Sequence, residues 1–206
     1  MASSRFSFLA ASLAVLLLAT ASCAFAARRV APPKAAACAK STLSPYSKSV
    51  KLTPDGLFLL HWNLTKTNDG IIAAIEAKKG SGAEAGWMSI GWTKTATKMV
   101  PSDVVVGNLA AAAPNNVVAY TMTSKVYPTG MQTTTAAAVA LSATSVETTA
   151  AGGTIVKFTR KGKGIKAPIA NYKAGVKNMI WAFSDTQDFT TGYHMQRGSI
   201  AVNFGC

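Results

Sequence analysis

The chain has 206 residues, of which 49% are hydrophobic and 14% charged, and its formal net charge at pH 7 is +13. A chain of this length fits one domain with a hydrophobic core. It contains only two histidines and three cysteines, too few for the close clusters of His, Cys and carboxylates that bind zinc or copper.

Residues 1–26 have the three parts of a secretory signal peptide. Arg5 is the basic part, residues 8–18 are an apolar run of 11 residues, and residues 24–26 read Ala-Phe-Ala, an A-x-A cleavage site. This run is shorter than the ~20 residues that span a bilayer, and no second long apolar segment follows. We therefore expect a secreted, extracellular protein without a transmembrane segment, in the apoplast or cell wall if the host is a plant or alga. A mature chain that begins at a lipidated Cys23 is the alternative to removal of Cys23 with the signal peptide.

Residues 27–56 are polar and rich in proline, without a helical or strand period, and we interpret them as a lead-in. Removal of the signal peptide leaves two cysteines, Cys38 and Cys206. An even count in an oxidising compartment predicts a disulfide between them, which would tether the lead-in. Two free or intermolecular thiols are the alternative.

From residue 57 onward, short apolar or alternating runs are separated by Gly, Pro, Asn and Asp, and nearly all carry β-branched or aromatic residues. This pattern is typical of an antiparallel β-sandwich or barrel, so residues 57–206 are predicted to form one all-β domain. The runs are LFLLHWNL, IIAAIEAK, GWMSIGW, DVVVGNLA, NVVAYTMT, TIVKFTR, NMIWAFS and GSIAVNF. Residues 133–153 are low in complexity and stay unassigned.

The residue types argue against an enzyme. A hydrolytic triad needs a nucleophile backed by a histidine. Neither His61 nor His194 lies near a G-x-S-x-G or similar nucleophile motif. His61 alternates with apolar neighbours, which predicts a strand-face residue. No catalytic constellation is found, and we expect a protein that is not an enzyme.

Two scattered residues can still hold a large cofactor from opposite faces. Haem iron accepts one nitrogen and one thioether sulfur, and His/Met ligation suits electron transfer. Most of the methionines have a simpler role: Met88, Met122 and Met179 lie in apolar strands, Met131 in a turn, and Met195 next to His194. Met99 differs because it follows TKTATK and precedes VPSD in a loop, where a core residue is not required. A partly buried loop anchor is the alternative role for Met99.

Two motifs point to a known family. GWMSIGWTKTATKMVPSDVVVG (residues 86–107) and WAFSDTQDFTTGYHMQRGSIAVNF (residues 181–204) resemble the core and closing motifs of the DOMON domain, in that order. The resemblance covers about residues 57–205 and implies an immunoglobulin-like antiparallel β-sandwich. The chain departs from the pattern at Trp92, where a smaller residue is common, and at Val100-Pro101, where the family often has a glycine.

The resemblance also implies a cofactor. In the secreted haem-binding members, including the cytochrome domain of cellobiose dehydrogenase and plant apoplastic b-type cytochromes, the Met and His of these motifs are the axial ligands of haem b. By position these are Met99 and His194, which makes both residues predicted ligands of the iron. The pairing of Cys38 with Cys206 is likewise similar to the plant members. Because C-x-x-C-H is absent, the haem is expected to be held non-covalently.

Three further residues are candidates for minor sites. Asn63-Leu64-Thr65 is an N-glycosylation sequon, which predicts an exposed Asn63 if the host is eukaryotic. Lys98 and Arg197, each close in sequence to a proposed ligand, could pair with haem propionates.

The sequence therefore predicts a secreted b-type cytochrome that carries single electrons. The cationic charge attracts polyanions. Secretion argues against nucleic acid and favours an acidic protein or an acidic polysaccharide, and the redox partner would be an unidentified protein or a small reductant. The alternative is a haem-free module that binds cell-wall sugar or acidic polysaccharide through its cationic surface and any exposed tryptophans among Trp87, Trp92 and Trp181. A structural matrix protein without a ligand is a third hypothesis.

Overall fold

Runs rich in β-branched and aromatic residues fold into strands within the described part of the chain. The computed structural model describes residues 34–66, 70–83, 86–113, 115–126, 131–133, 141–161, 174–186 and 194–206. The strands are β1 (Ala39–Lys40), β2 (Lys48–Lys51), β3 (Phe58–Leu64), β4 (Gly70–Ala77), β5 (Trp87–Thr93), β6 (Ser102–Asn108), β7 (Val117–Met122), β8 (Met131–Thr133), β9 (Leu141–Thr148), β10 (Thr154–Lys161), β11 (Val176–Ser184) and β12 (Gln196–Asn203). The predicted signal peptide, residues 1–26, lies outside the described residues.

The strands form two sheets in which neighbouring strands are antiparallel. The first sheet has the order β1-β2-β3-β4-β10-β9, and the second has the order β12-β11-β5-β6-β7-β8. No helix occurs in the part of the chain that the structure describes, so none there could cross a membrane. The predicted all-β antiparallel sandwich is confirmed.

Side chains that alternate along each strand fill the core between the sheets. Met88, Ile90 and Trp92 of β5 point into it, as the two-residue period of a strand requires. Phe58 of the first sheet meets Phe183 of the second with ring centroids 5.0 Å apart. Near the other end of the sandwich, Trp62 meets Phe204 at 5.1 Å. These aromatic pairs fix which ends of the two sheets lie together.

The second sheet has two ends that matter for the site. The Thr93 end, as we call it, is where Thr93 of β5 pairs with Asn178 of β11, and it carries the loop of residues 94–101. The Trp87 end is where Trp87 pairs with Ser184. It carries the residues that precede β12.

The structure differs from the sequence interpretation in the lead-in. Residues 39–51, interpreted as part of a segment without strands, contribute β1 and β2. These strands are two and four residues long, too short to show a period, and β2 exists because it pairs with β3. Within the unassigned residues 133–153, residues 141–148 form β9, whereas residues 134–140 lie outside the described residues.

The predicted disulfide is confirmed. Cys38 and Cys206 are bonded across 168 residues of sequence. Nearby, the backbone of Ala36 forms a parallel bridge with Val202 of β12. The disulfide and the bridge tie the start of the described chain to its end.

Candidate cofactor site

The outer face of the second sheet is apolar. An antiparallel sheet commonly turns one face to the core and a polar face to water, but Val104 and Val106 of β6 are buried on the side opposite the core residue Val105. They belong to a second apolar cluster, which we call the outer-face cluster. Its buried members are Trp87, Val104, Val106, Tyr120 and Met122, and Met99, Val100, Val118, Ile180 and Ala182 are partly buried against them.

Small residues on β5 allow side chains of the two flanking strands to pack against each other across β5. Gly91 lies between Val104 and Ile180 of the flanking strands. A Cβ at Gly91 would collide with Cγ1 of Val104 and stand 3.0 Å from Cγ1 of Ile180. Ser89, two residues earlier, donates its hydroxyl to the carbonyl of Ala182 at 3.2 Å. The middle of the face is therefore a close-packed apolar floor.

Met99 reaches this floor from the Thr93 end. The loop of residues 94–101 is held by Thr93, whose buried hydroxyl donates to the carbonyl of Lys98 at 2.9 Å. Thr97 has a φ of 71°, a left-handed conformation that is uncommon for a non-glycine residue and turns the chain just before Met99. The side chain of Met99 is partly buried against the outer-face cluster. The loop thus delivers a thioether sulfur to the cluster.

His194 approaches from the Trp87 end. The backbone N–H of the next residue, Met195, donates to the carbonyl of Phe183 at 2.9 Å, which fixes the chain beside the histidine. The His194 ring lies 6.1 Å from the Trp87 ring, measured between centroids. Burial lowers the pKa of His194, and the positive charge of Arg197 lowers it further. Both effects favour the neutral imidazole, the form that binds a metal ion.

The two proposed ligands meet the same cluster from opposite ends of β5. Trp87 connects them, since it contacts the His194 ring and belongs to the cluster against which Met99 packs. A nitrogen donor and a sulfur donor beside an apolar floor are the groups that a His/Met-ligated haem requires. The donor atoms present therefore fit a haem in their chemistry; Met99 and His194 would hold its iron by converging on it from the two ends of β5, and this convergence stays a prediction. Lys98 and Arg197 are both exposed, and their pairing with propionates stays a prediction.

The departures from the family pattern fall on different sides of the sheet. Trp92 points into the core, where its side chain is 1% exposed and the Arg160 guanidinium lies 5.9 Å from its ring centroid. It does not shape the outer face. Val100, by contrast, packs against the outer-face cluster beside Met99, so this departure contributes to the candidate site.

The tryptophans named in the sugar-binding alternative are buried. Trp87, Trp92 and Trp181 are 5%, 1% and 9% exposed. Stacking on a sugar needs an accessible ring face, which none of the three offers in this structure. The alternative therefore loses its tryptophans and rests on the cationic surface alone.

His61 occupies a network that sequence reasoning missed. It lies on β3, as predicted, but its side chain is fully buried. Its Nδ1 is 2.8 Å from Oγ of Ser41, and its Nε2 is 2.9 Å from Oε2 of Glu76. The Ser41 hydroxyl is also bonded to the backbone N–H and carbonyl of Leu43 at 3.0 and 2.9 Å.

This Ser-His-Glu chain has the residue types of a hydrolytic triad, yet the serine hydroxyl is already used inside its own turn. Tyr46 packs over His61 with ring centroids 6.3 Å apart. The network therefore anchors residues 41–46 to the first sheet. The residues of the network are 20 and 15 positions apart, and only the strand pairing brings them together, so no local motif could have revealed them. The hydrogen bond with His61 is the main cause of a lowered pKa at Glu76.

The sequon residue Asn63 takes part in a second anchor. Its Oδ1 accepts hydrogen bonds from the backbone N–H and the hydroxyl of Ser47 at 2.8 and 2.6 Å. Its Nδ2 donates to the carbonyl of Pro45 at 3.0 Å. The side-chain amide is thus engaged on both sides, and glycosylation of Asn63 stays a prediction.

Comparisons with known proteins bear on the fold. No family model matches the chain, and no curated protein matches it. Among solved structures, the chain is similar to the cytochrome b domain of pyranose dehydrogenase from Coprinopsis cinerea, with a TM-score of 0.56 and 12% sequence identity over 83% of this chain and 89% of that chain. At this identity the likeness concerns the fold alone: the chain has a β-sandwich similar to that of a cytochrome b domain.

Proposed function

We propose that the chain is a secreted b-type cytochrome that carries single electrons in the extracellular space. The observation that carries the proposal is the outer-face cluster, which has the sulfur of Met99 at one end and the imidazole of His194 at the other. The similarity in fold to a cytochrome b domain supports it. When bound, haem b would supply a one-electron redox centre with a raised reduction potential.

The protein residues would have separate tasks. Met99 and His194 would hold the iron, and Trp87 would orient the His194 ring by packing against it. The valines and Tyr120 of the outer-face cluster would exclude water. Because Met99 and His194 would both bind the iron, no iron position would be open for a substrate, so we propose an electron carrier and not an enzyme.

Secretion belongs to the same proposal. The signal-peptide pattern of residues 1–26 motivates it, and the Cys38–Cys206 disulfide agrees with an oxidising compartment. The apoplast or cell wall is the expected location if the host is a plant or alga.

The first test is the visible spectrum of the protein, expressed with its own signal peptide and purified from the medium. The protein is reconstituted with haem b and measured oxidised and then dithionite-reduced. We expect sharp low-spin bands in the unmodified protein. Met99→Ala and His194→Ala should each convert the spectrum to high-spin or abolish haem uptake, because each removes one axial ligand.

Met195→Ala is the matched control, since this residue is a methionine like Met99, is next to His194, and is 46% exposed. Its spectrum should equal that of the unmodified protein. Circular dichroism confirms that each variant is folded. A folded protein that takes up no haem would refute the proposal.

A further inference from the structure

Lysines collect at the Thr93 end of the sandwich. Lys94 and Lys98 are exposed in the loop that carries Met99, and Lys125 is exposed just after β7. The pairing of Met122 with Ser102 places the residues after β7 beside the end of the Met99 loop. We call these three lysines the cationic end. In the first sheet, exposed Lys66 and Lys161 lie at the corresponding end, because Lys161 pairs with Gly70 at the start of β4.

The described acidic residues lie elsewhere. Four of them are near the Trp87 end: Asp55, Glu76, Glu147 and Asp185. Glu76 pairs with Leu59 and Glu147 with Ile155, next to the Phe58–Phe183 contact, and Asp185 follows the last residue of β11. The fifth, Asp103, is fully buried and accepts a hydrogen bond from Thr121. Within the described ranges, the cationic end thus has no exposed carboxylate to neutralise it.

Apolar side chains accompany these lysines. Val126 is 63% exposed and follows Lys125, and Val176 is 56% exposed at the start of β11. Single exposed apolar residues are normal on a protein surface. Here two of them lie at the same end as exposed lysines, and protein interfaces also combine apolar contacts with charges of complementary sign.

We propose that the cationic end is the docking surface for an acidic redox protein. This inference rests on the proposed function. The Met99 loop carries both Lys94 and Lys98, so a partner bound there lies next to the candidate haem site. One electron passes between the two proteins: the donor is oxidised by one electron, the acceptor is reduced by one, and no bond or proton changes. An acidic protein fits better than a polysaccharide, because exposed valines offer apolar contacts that a charged glycan chain does not use.

The kinetic test uses reduced plant-type ferredoxin, an acidic one-electron donor of low potential, mixed with the haem-loaded protein in a stopped-flow instrument. The test variant is Lys94→Glu/Lys125→Glu, and the control is Lys78→Glu/Lys79→Glu, two exposed lysines near the Trp87 end. Both variants change the net charge equally. At low salt the test variant should lower the second-order rate constant about tenfold or more, and the control by less than about twofold, with the difference vanishing at high salt.

Equal effects of the two variants would overturn the inference. A second outcome would also overturn it: the unmodified protein is retained on heparin, the test variant is not, and the rate constant of the test variant with ferredoxin is unchanged. That outcome would indicate a surface that binds polysaccharide. Both outcomes leave the haem proposal intact, because they are measured on haem-loaded protein.

A second measurement does not need haem. Hexacyanochromate(III), a paramagnetic trianion, is titrated into ¹⁵N-labelled haem-free protein, and amide broadening is mapped by nuclear magnetic resonance. Broadening concentrated around Lys94, Lys98 and Lys125 is expected. Broadening that is uniform or concentrated around Lys78 and Lys79 would contradict the docking surface, whatever the outcome of haem reconstitution.

Discussion

The two histidines of the chain are in opposite chemical situations: His61 lies on β3 of the first sheet, and His194 lies just before β12 of the second. His61 is fully buried, and both ring nitrogens are engaged, with Ser41 on one side and Glu76 on the other. His194 is half-buried beside Trp87 and forms no hydrogen bond with a described residue. A ring whose nitrogens are both occupied cannot bind iron without breaking the network around it. The comparison therefore assigns a structural role to His61 and leaves His194 as the histidine available to a cofactor.

The contrast extends to what covers each ring. Residues 41–46 cover His61, and the turn that holds them is bonded to the ring itself. His194 instead borders an apolar face that carries Met99. One region is held by hydrogen bonds, and the other is a buried apolar cluster with a sulfur and a nitrogen donor beside it. Substitutions in the region around His61 should lower the free energy of unfolding, whereas substitutions in the region around His194 should weaken ligand binding.

The largest stability effect is expected from the disulfide that ties down the chain before His61. Cys38→Ala/Cys206→Ala removes a cross-link over 168 residues, and we expect the free energy of unfolding to fall by about 2–5 kcal/mol. Urea unfolding followed by tryptophan fluorescence measures it. The haem spectrum should be unchanged under native conditions, because neither cysteine belongs to the outer-face cluster, and Cys38 packs against the core between the sheets. An altered spectrum in folded protein would show that the two regions are coupled.

A smaller decrease in the free energy of unfolding is expected from His61→Ala. The substitution leaves a cavity in a fully buried site and removes the partner of both Ser41 and Glu76, which should cost about 2–4 kcal/mol. In haem-free protein, His194→Ala should cost less than about 1 kcal/mol, since that ring is half-buried and loses no hydrogen bond. Urea unfolding of both variants compares them directly. Equal losses would erase the distinction between the two histidines.

Much of the fold could be predicted from the sequence, because a two-residue period over seven or eight positions identifies a strand without knowledge of its neighbours. β1 and β2 could not be predicted, since two and four residues show no period and depend on pairing with β3. The outer-face cluster could not be predicted from the sequence either. The run DVVVG of β6 is apolar at every valine, so it does not reveal that Val104 and Val106 face away from the core.

The candidate site was only partly accessible from the sequence. Met99 and His194 were found through motif resemblance, and they lie 95 positions apart. Their approach to one apolar face from opposite ends of β5 follows from the register of β11 against β5. The Ser41–His61–Glu76 network depends in the same way on strand pairing, so the spacing of these residues in the sequence does not predict it.

The smallest expected change in the free energy of unfolding depends on pH and distinguishes the carboxylates of Glu76 and Glu147. Glu76 bonds to buried His61, and the hydrogen bond lowers its pKa. Glu147 bonds to Lys157 at 2.6 Å on the surface, and that hydrogen bond is the main cause of its lowered pKa. A carboxylate whose pKa is lower in the folded state contributes stability above its unfolded pKa, about 4.3, and the contribution is lost as pH falls through the folded pKa.

Glu76→Gln should therefore lower the free energy of unfolding by about 1 kcal/mol at pH 7, and the difference from the unmodified protein should shrink as pH falls below about 4. Glu147→Gln, the matched control, should cost less than about 0.5 kcal/mol because exposed ion pairs are screened. In 0.5 M salt (about a 4 Å Debye length) the Glu147 effect should vanish while the Glu76 effect persists. Urea unfolding from pH 3 to pH 7 measures both. If salt removes the two effects equally, the bond to His61 is no stronger than a surface contact, and its anchoring role fails.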